Sequence, residues 1–192
     1  MKTKYIQILG DALIPLCGLF FWGWGLYFIL LFYFIDMFAG EIVLHLKSNK
    51  IIKTQKQKVY SWIKGSLLSF FCSLIVVLVS HFVVFIVVEG INIKEQVFLF
   101  WNYEELGIKQ GPLLIPLVLI TTLMQYKTEF IDPKMYKKVQ INQVWRRHNR
   151  SLFALIGLAG FSLAIAQFFV LPEYVYVFGL VLSTTVYKIR FN

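Results

Sequence analysis

The run from Gly25 to Leu46, GLYFILLFYFIDMFAGEIVLHL, is long and apolar enough to cross a bilayer, yet it carries Asp36, Glu41 and His45. About 20 such residues span a hydrocarbon core of about 30 Å. Backbone N–H and C=O groups find no water there, so the run has to fold as a helix. An Asp at the centre of a spanning helix costs about 3 kcal/mol on insertion scales, which makes it a candidate functional residue.

The run has company. Of the 192 residues 58% are hydrophobic and 18% aromatic, with net charge +9, and mean hydropathy is +0.69; soluble domains use about 45 to 50% apolar residues. Further apolar runs lie at 5–21, 66–88, 112–126, 151–171 and 174–187, beside 25–46. They predict an all-α, polytopic transmembrane bundle of about six spans forming a single integral membrane domain over 1–192. Met1 to Phe21 resembles a signal peptide, but Asp11 breaks its apolar stretch and no small-x-small cleavage site follows, so it reads as a retained first helix. Trp22-Gly23-Trp24-Gly25 reads as a tight turn whose indoles suit the membrane interface.

The basic residues sit in blocks between the runs, which explains the positive charge by threading and excludes nucleic acid as the partner. All but Lys94 and Lys109 of the 19 Lys and Arg precede the first run, follow the last, or lie between the second and third or fourth and fifth. That bias predicts both termini and both basic loops on the cytoplasmic side. The loop Lys47 to Gly65 mixes lysines with Ile51, Ile52, Trp62 and Ile63; it reads as a segment on anionic lipid of the inner leaflet, or as a plain topogenic loop. Val97 to Trp101 is too short to span and reads as interfacial or re-entrant.

Counting at about 1.5 Å per residue puts Asp36 about 16 Å deep, near the midplane, and folding back through the turn brings Asp11 to the same level. Two carboxylates in one low-dielectric layer do not both ionise comfortably, and sharing a proton is what a relay needs. Tyr33, Asp36 and Gly40 share one helix face. Thr122 and Thr184 fall near the same depth and His81 about a turn further out; Ser and Thr hydroxyls also bond their own helix backbone as a matter of course. Glu41 and His45, on another face near the cytoplasmic end, read as an ion pair or as groups reaching the headgroups. Cys17 and Cys72 lie in apolar runs and read as packing residues. No His or Cys spacing points to a metal or cofactor. No catalytic residue stands out: Gly160-Phe161-Ser162-Leu163 lacks the Gly-x-Ser-Gly of the rhomboid nucleophile.

Pro15, Trp24, Tyr33, Asp36 and Gly40, followed by His81, Phe82, Phe85 and Gly90, resemble the pattern of an uncharacterised family of small bacterial six-helix membrane proteins. That family carries Tyr-x-x-Glu-Asn-x-x-Gly in its second helix and His-Tyr-x-x-Phe, then His-Gly, in its third. Asp36, Met37 and Glu89 depart from it. The resemblance implies a bacterial inner-membrane address and no known activity. The expected function is therefore a small transporter or ion-translocating protein with a site at Asp36, Asp11, His81 and Tyr33. The alternative is a non-catalytic component binding a membrane protein or a second copy of itself.

Overall fold

The computed structural model describes residues 2–57, 59–105 and 108–191. The helices are α1 (Lys2–Phe21), α2 (Leu26–Gln55), α3 (Tyr60–Val87), α4 (Ile93–Asn102), α5 (Gln110–Tyr126), α6 (Ile141–Phe168) and α7 (Glu173–Phe191). Glu104–Glu105 and Ile108–Lys109 form a minimal antiparallel pairing before α5. A π-helical turn, Lys127–Ile131, prolongs α5. Four helical stretches are long and apolar enough to cross a membrane: Leu26–Gln55, Ser61–Val87, Gly111–Ile131 and Ile141–Phe168. The apolar parts of α1 and α7, Ile8–Phe21 and Glu173–Val186, are shorter.

Helix α2 is the axis. From Leu26 to Phe34 every residue except Leu31 is buried, and α2 touches α1, α3, α4, α5, α6 and α7. Its first turn needs acceptors for orphan N–H groups, and Gly25 supplies no side-chain cap. Instead the Glu173 carboxylate, at the start of α7, accepts from Leu26 N–H. The two helix starts therefore lie together, and α7 runs parallel to α2.

The turn between α1 and α2 is packed, not interfacial. Trp24 is 2% exposed, its N–H donates to Gly18 O at 2.9 Å, and its ring touches Phe28 at 4.4 Å and Tyr103 at 6.2 Å between centroids. A Cβ on Gly18 would lie 2.2 Å from that ring. Gly23 turns with φ +64. Trp24 thus leaves the interface because Gly18 opens a slot for its indole.

The basic stretches are largely helix, which corrects their reading as loops. Helix α2 continues to Gln55 because Leu44, Ser48 and Ile51 extend its buried face at helical spacing, with Ser48 and Ile51 both 0% exposed. Gln55 then donates to Tyr136 O at 2.6 Å and Val139 O at 3.0 Å. Helix α6 begins at Ile141, ten residues before its most apolar part, under a reciprocal capping box of Gln140 and Gln143. Ile141, Trp145, Asn149 and Leu152 form its buried stripe.

The most extensive helix contact joins α3 to α6. It is close because Gly65 sits against Trp145: a Cβ there would meet Trp145 Cγ at 2.4 Å. Small residues at such crossings let helices approach where hydrophobic driving force is absent. On the opposite face of α3, Leu67, Phe70, Phe71, Leu74, Leu78, Phe82 and Phe85 are exposed, an apolar belt far larger than soluble surfaces carry. Val97, Phe98, Leu99 and Trp101 of the short α4 are likewise exposed. Gly65→Ala overpacks the α3/α6 crossing and should cost about 1 to 3 kcal/mol, read as a lower Tm in detergent. Gly157→Ala, whose Cβ would meet nothing within 4 Å, should leave Tm unchanged.

Candidate functional site

One face of α2 gives the site its length. Leu26, Leu30, Tyr33, Asp36, Gly40, Val43, Leu44 and Lys47 recur at helical spacing, and all line a cavity of about 660 Å³. From Leu26 to Lys47 is about 30 Å at 1.5 Å per residue, the thickness of a hydrocarbon core. Walls come from α1, α3, α5, α6 and α7 as well.

Asp11, Tyr33, Asp36, Thr122 and Thr184 all line this cavity. The Tyr33 hydroxyl donates to the Asp11 carbonyl oxygen at 3.2 Å, tying α1 to α2 at the level that counting through the turn indicated. Asp11 and Asp36 each keep a further polar, ring or electrostatic contact. The Thr122 hydroxyl donates to Val118 O at 2.7 Å and that of Thr184 to Leu180 O at 2.8 Å. Each spends its proton on its own helix and offers the cavity only an acceptor oxygen.

His81 is placed elsewhere. It is not among the described residues lining the cavity; Ser80 and Val84 of α3 take the wall. Its Nδ1 lies 2.7 Å from Val77 O and its Nε2 3.1 Å from the Tyr27 hydroxyl, and its ring stacks on Phe34 at 5.7 Å. A carbonyl oxygen can only accept, so Nδ1 carries the proton and Nε2 accepts from Tyr27. Both nitrogens are committed to packing helices together.

Glu41 and His45 do not pair with one another. Glu41 Oε1 meets His148 Nε2 at 2.8 Å, accepts from the Ser69 hydroxyl, and accepts from Ser73 at 3.2 Å. Ser69 Oγ also lies 2.9 Å from the same His148 nitrogen. His45 Nδ1 accepts from Trp62 Nε1 at 2.8 Å, and its ring lies edge-on to Trp145, 5.4 Å away. The physical reason is position: the face carrying Glu41 and His45 meets α3 and α6, which supply polar partners, and not the headgroups.

Sequence reading missed His148, Ser69 and Ser73. His148 lies upstream of the hydropathy run at 151–171, among Arg146, Arg147 and Arg150. The signal available was the stripe Ile141, Trp145, Asn149, Leu152, whose 4-4-3 spacing starts the helix earlier and places His148 one residue from a buried position. At the basic end the cavity is bounded by Lys47, Glu129, Gln125, Gln143 and Arg147. Lys47 Nζ stands 5.8 Å from the Phe130 ring centroid. Among the described residues no three His, Cys, Asp or Glu side chains gather as a metal set. Ser69 is 1% exposed and meets the same imidazole nitrogen as Glu41, whereas a Ser-His-acid triad uses opposite nitrogens.

No protein-family model, curated protein or solved structure matches the chain. Function therefore has to be argued from the cavity.

In a Cys17→Ala, Cys72→Ala background, Thr184→Cys should react with a small water-soluble thiol reagent from within the cavity, whereas Ser69→Cys should not. Equal labelling of both positions would mean that Ser69 is as open to the cavity as Thr184.

Proposed function

We propose that the protein is a small integral membrane transporter of protons or ions, with its site at the cavity level of Asp36 and Asp11. The observation that carries this reading is that one cavity follows α2 for about 30 Å and has both carboxylates on its wall. Carboxylates at such depth are costly. A cavity beside them leaves the room for hydration and for an exchange partner that a close-packed core withholds.

The roles follow from chemistry. Asp36 and Asp11 bind the proton or cation, and Tyr33 positions the Asp11 segment through its hydrogen bond to the carbonyl. Thr122 and Thr184 add acceptor oxygens. His81 drops out of the site because both of its ring nitrogens are engaged elsewhere. In this reading the bundle crosses the membrane six times, α1 and α7 included. Its lysine-rich end and both termini face the cytoplasm of a bacterium, against anionic lipid; the family resemblance of the first three helices fits that placement.

Hydroxyls turned onto their own helices favour the second reading, a non-catalytic bundle that docks another membrane protein or a second copy, with Asp36 as a structural hydrogen-bonding group. Proteoliposomes separate the two. Under transport, wild type carries a pH-dependent flux and Asp36→Asn lowers it at least tenfold with Tm within a few degrees. Flux unchanged in Asp36→Asn, or no flux in wild type, would sink transport, and a large fall in Tm alone would favour the structural role.

A further inference from the structure

We propose that Glu41 and His148 form a second proton-binding site, with His148 on the cavity wall and Glu41 behind it, loaded and unloaded through the His148 imidazole; this rests on the transport reading of the same cavity. The pair is built from three helices: Glu41 on α2, Ser69 and Ser73 on α3, His148 on α6. Oε1 of Glu41 faces Ser69, Ser73 and His148 Nε2 at once. Three convergent donors suit an ionised carboxylate, not a carboxylic acid. With Nε2–H donating to Glu41, the vacant nitrogen is Nδ1. Among the described residues Nδ1 has no hydrogen-bond partner.

Access distinguishes this pair from a buried ion pair that only holds helices together. His148 lines the cavity, and the side chains of His148 and Glu41 are 20% and 17% exposed, while Ser69 behind them is 1% exposed. A proton arriving from cavity water binds the Nδ1 lone pair. The resulting imidazolium is neutralised by the carboxylate 2.8 Å from Nε2, so the loaded pair has no net charge. Unloading returns the proton to water and leaves neutral imidazole beside the carboxylate. No bond other than N–H forms or breaks. Imidazole is the side chain whose ordinary titration falls between about pH 5 and 8.

The site also lies on a route. Asp36 and Glu41 are five residues apart on α2, about 7.5 Å along its axis, and the cavity-lining residues between them are Met37 and Gly40. A Cβ on Gly40 would meet nothing within 4 Å, so there is open space beside the backbone between the two levels. The titratable and charged groups on the elements packed around the pair are His45 and Lys47 on α2, Cys72 on α3, Glu129 after α5, and Arg147 on α6.

The test uses the full chain in nanodiscs with 15N-labelled histidine, the His148 signals being assigned by their loss in His148→Gln. The 15N shifts of His148 should change with pH between those of the neutral and the doubly protonated ring, and Glu41→Gln should alter that pH dependence. Glu41→Asp, which keeps the charge, should retain most of the wild-type behaviour and serves if Glu41→Gln does not fold. In proteoliposomes His148→Gln should flatten the pH profile of flux. His148 15N shifts that do not change with pH, or that change identically in Glu41→Gln, overturn the proposal. So does an unaltered flux profile in His148→Gln when Asp36→Asn has abolished flux, and that outcome leaves transport standing. Absent wild-type flux refutes transport itself, while the histidine titration still decides whether the pair binds protons from the cavity.

Discussion

A helix with neighbours on most of its faces brings few of its charges to water, so its neighbours have to provide what water would. Helix α2 imposes this condition twice. On one face Glu41 obliges α3 to supply Ser69 and Ser73 and α6 to supply His148. On the other, Asp36 opens with Tyr33 and Gly40 onto a cavity shared with Asp11 of α1. The first solution closes helices together, and the second holds them apart.

The magnitudes explain why both can coexist in one bundle. Hydrogen bonds to a charged group contribute about 1.5 to 3 kcal/mol each, comparable with the cost of about 3 kcal/mol for a carboxylate at a helix centre. Glu41 offsets its burial locally, through three donors. The close approach that brings those donors within reach comes from Gly65 under Trp145, since any larger residue would separate α3 from α6. The polar network and the small residue are one arrangement seen at two positions.

The helical class was legible in the sequence because hydropathy is nearly context-free. Helix ends were not. Lys47, Lys50 and Lys53 look like a loop by composition, yet Ser48 and Ile51 bury beneath them, because lysine is a good helix former that keeps its head in solvent. His148 was hidden for the same reason, in the charged first turns of α6. The shared level of Asp11 and Asp36 could be counted through the turn, whereas the placement of His81 depended on the rotation of α3, which periodicity left open between residues 80 and 81. Trp24 looked interfacial because no turn motif announces the Gly18 slot, six residues earlier, that accounts for its burial.

That slot has a mechanical meaning. With the Trp24 indole wedged against Gly18 and the Trp24 backbone N–H bonded to the Gly18 carbonyl, the tip of the α1/α2 hairpin is clamped, and Tyr33 fastens the pair again further down. Two helices joined at two heights move as one rigid lever.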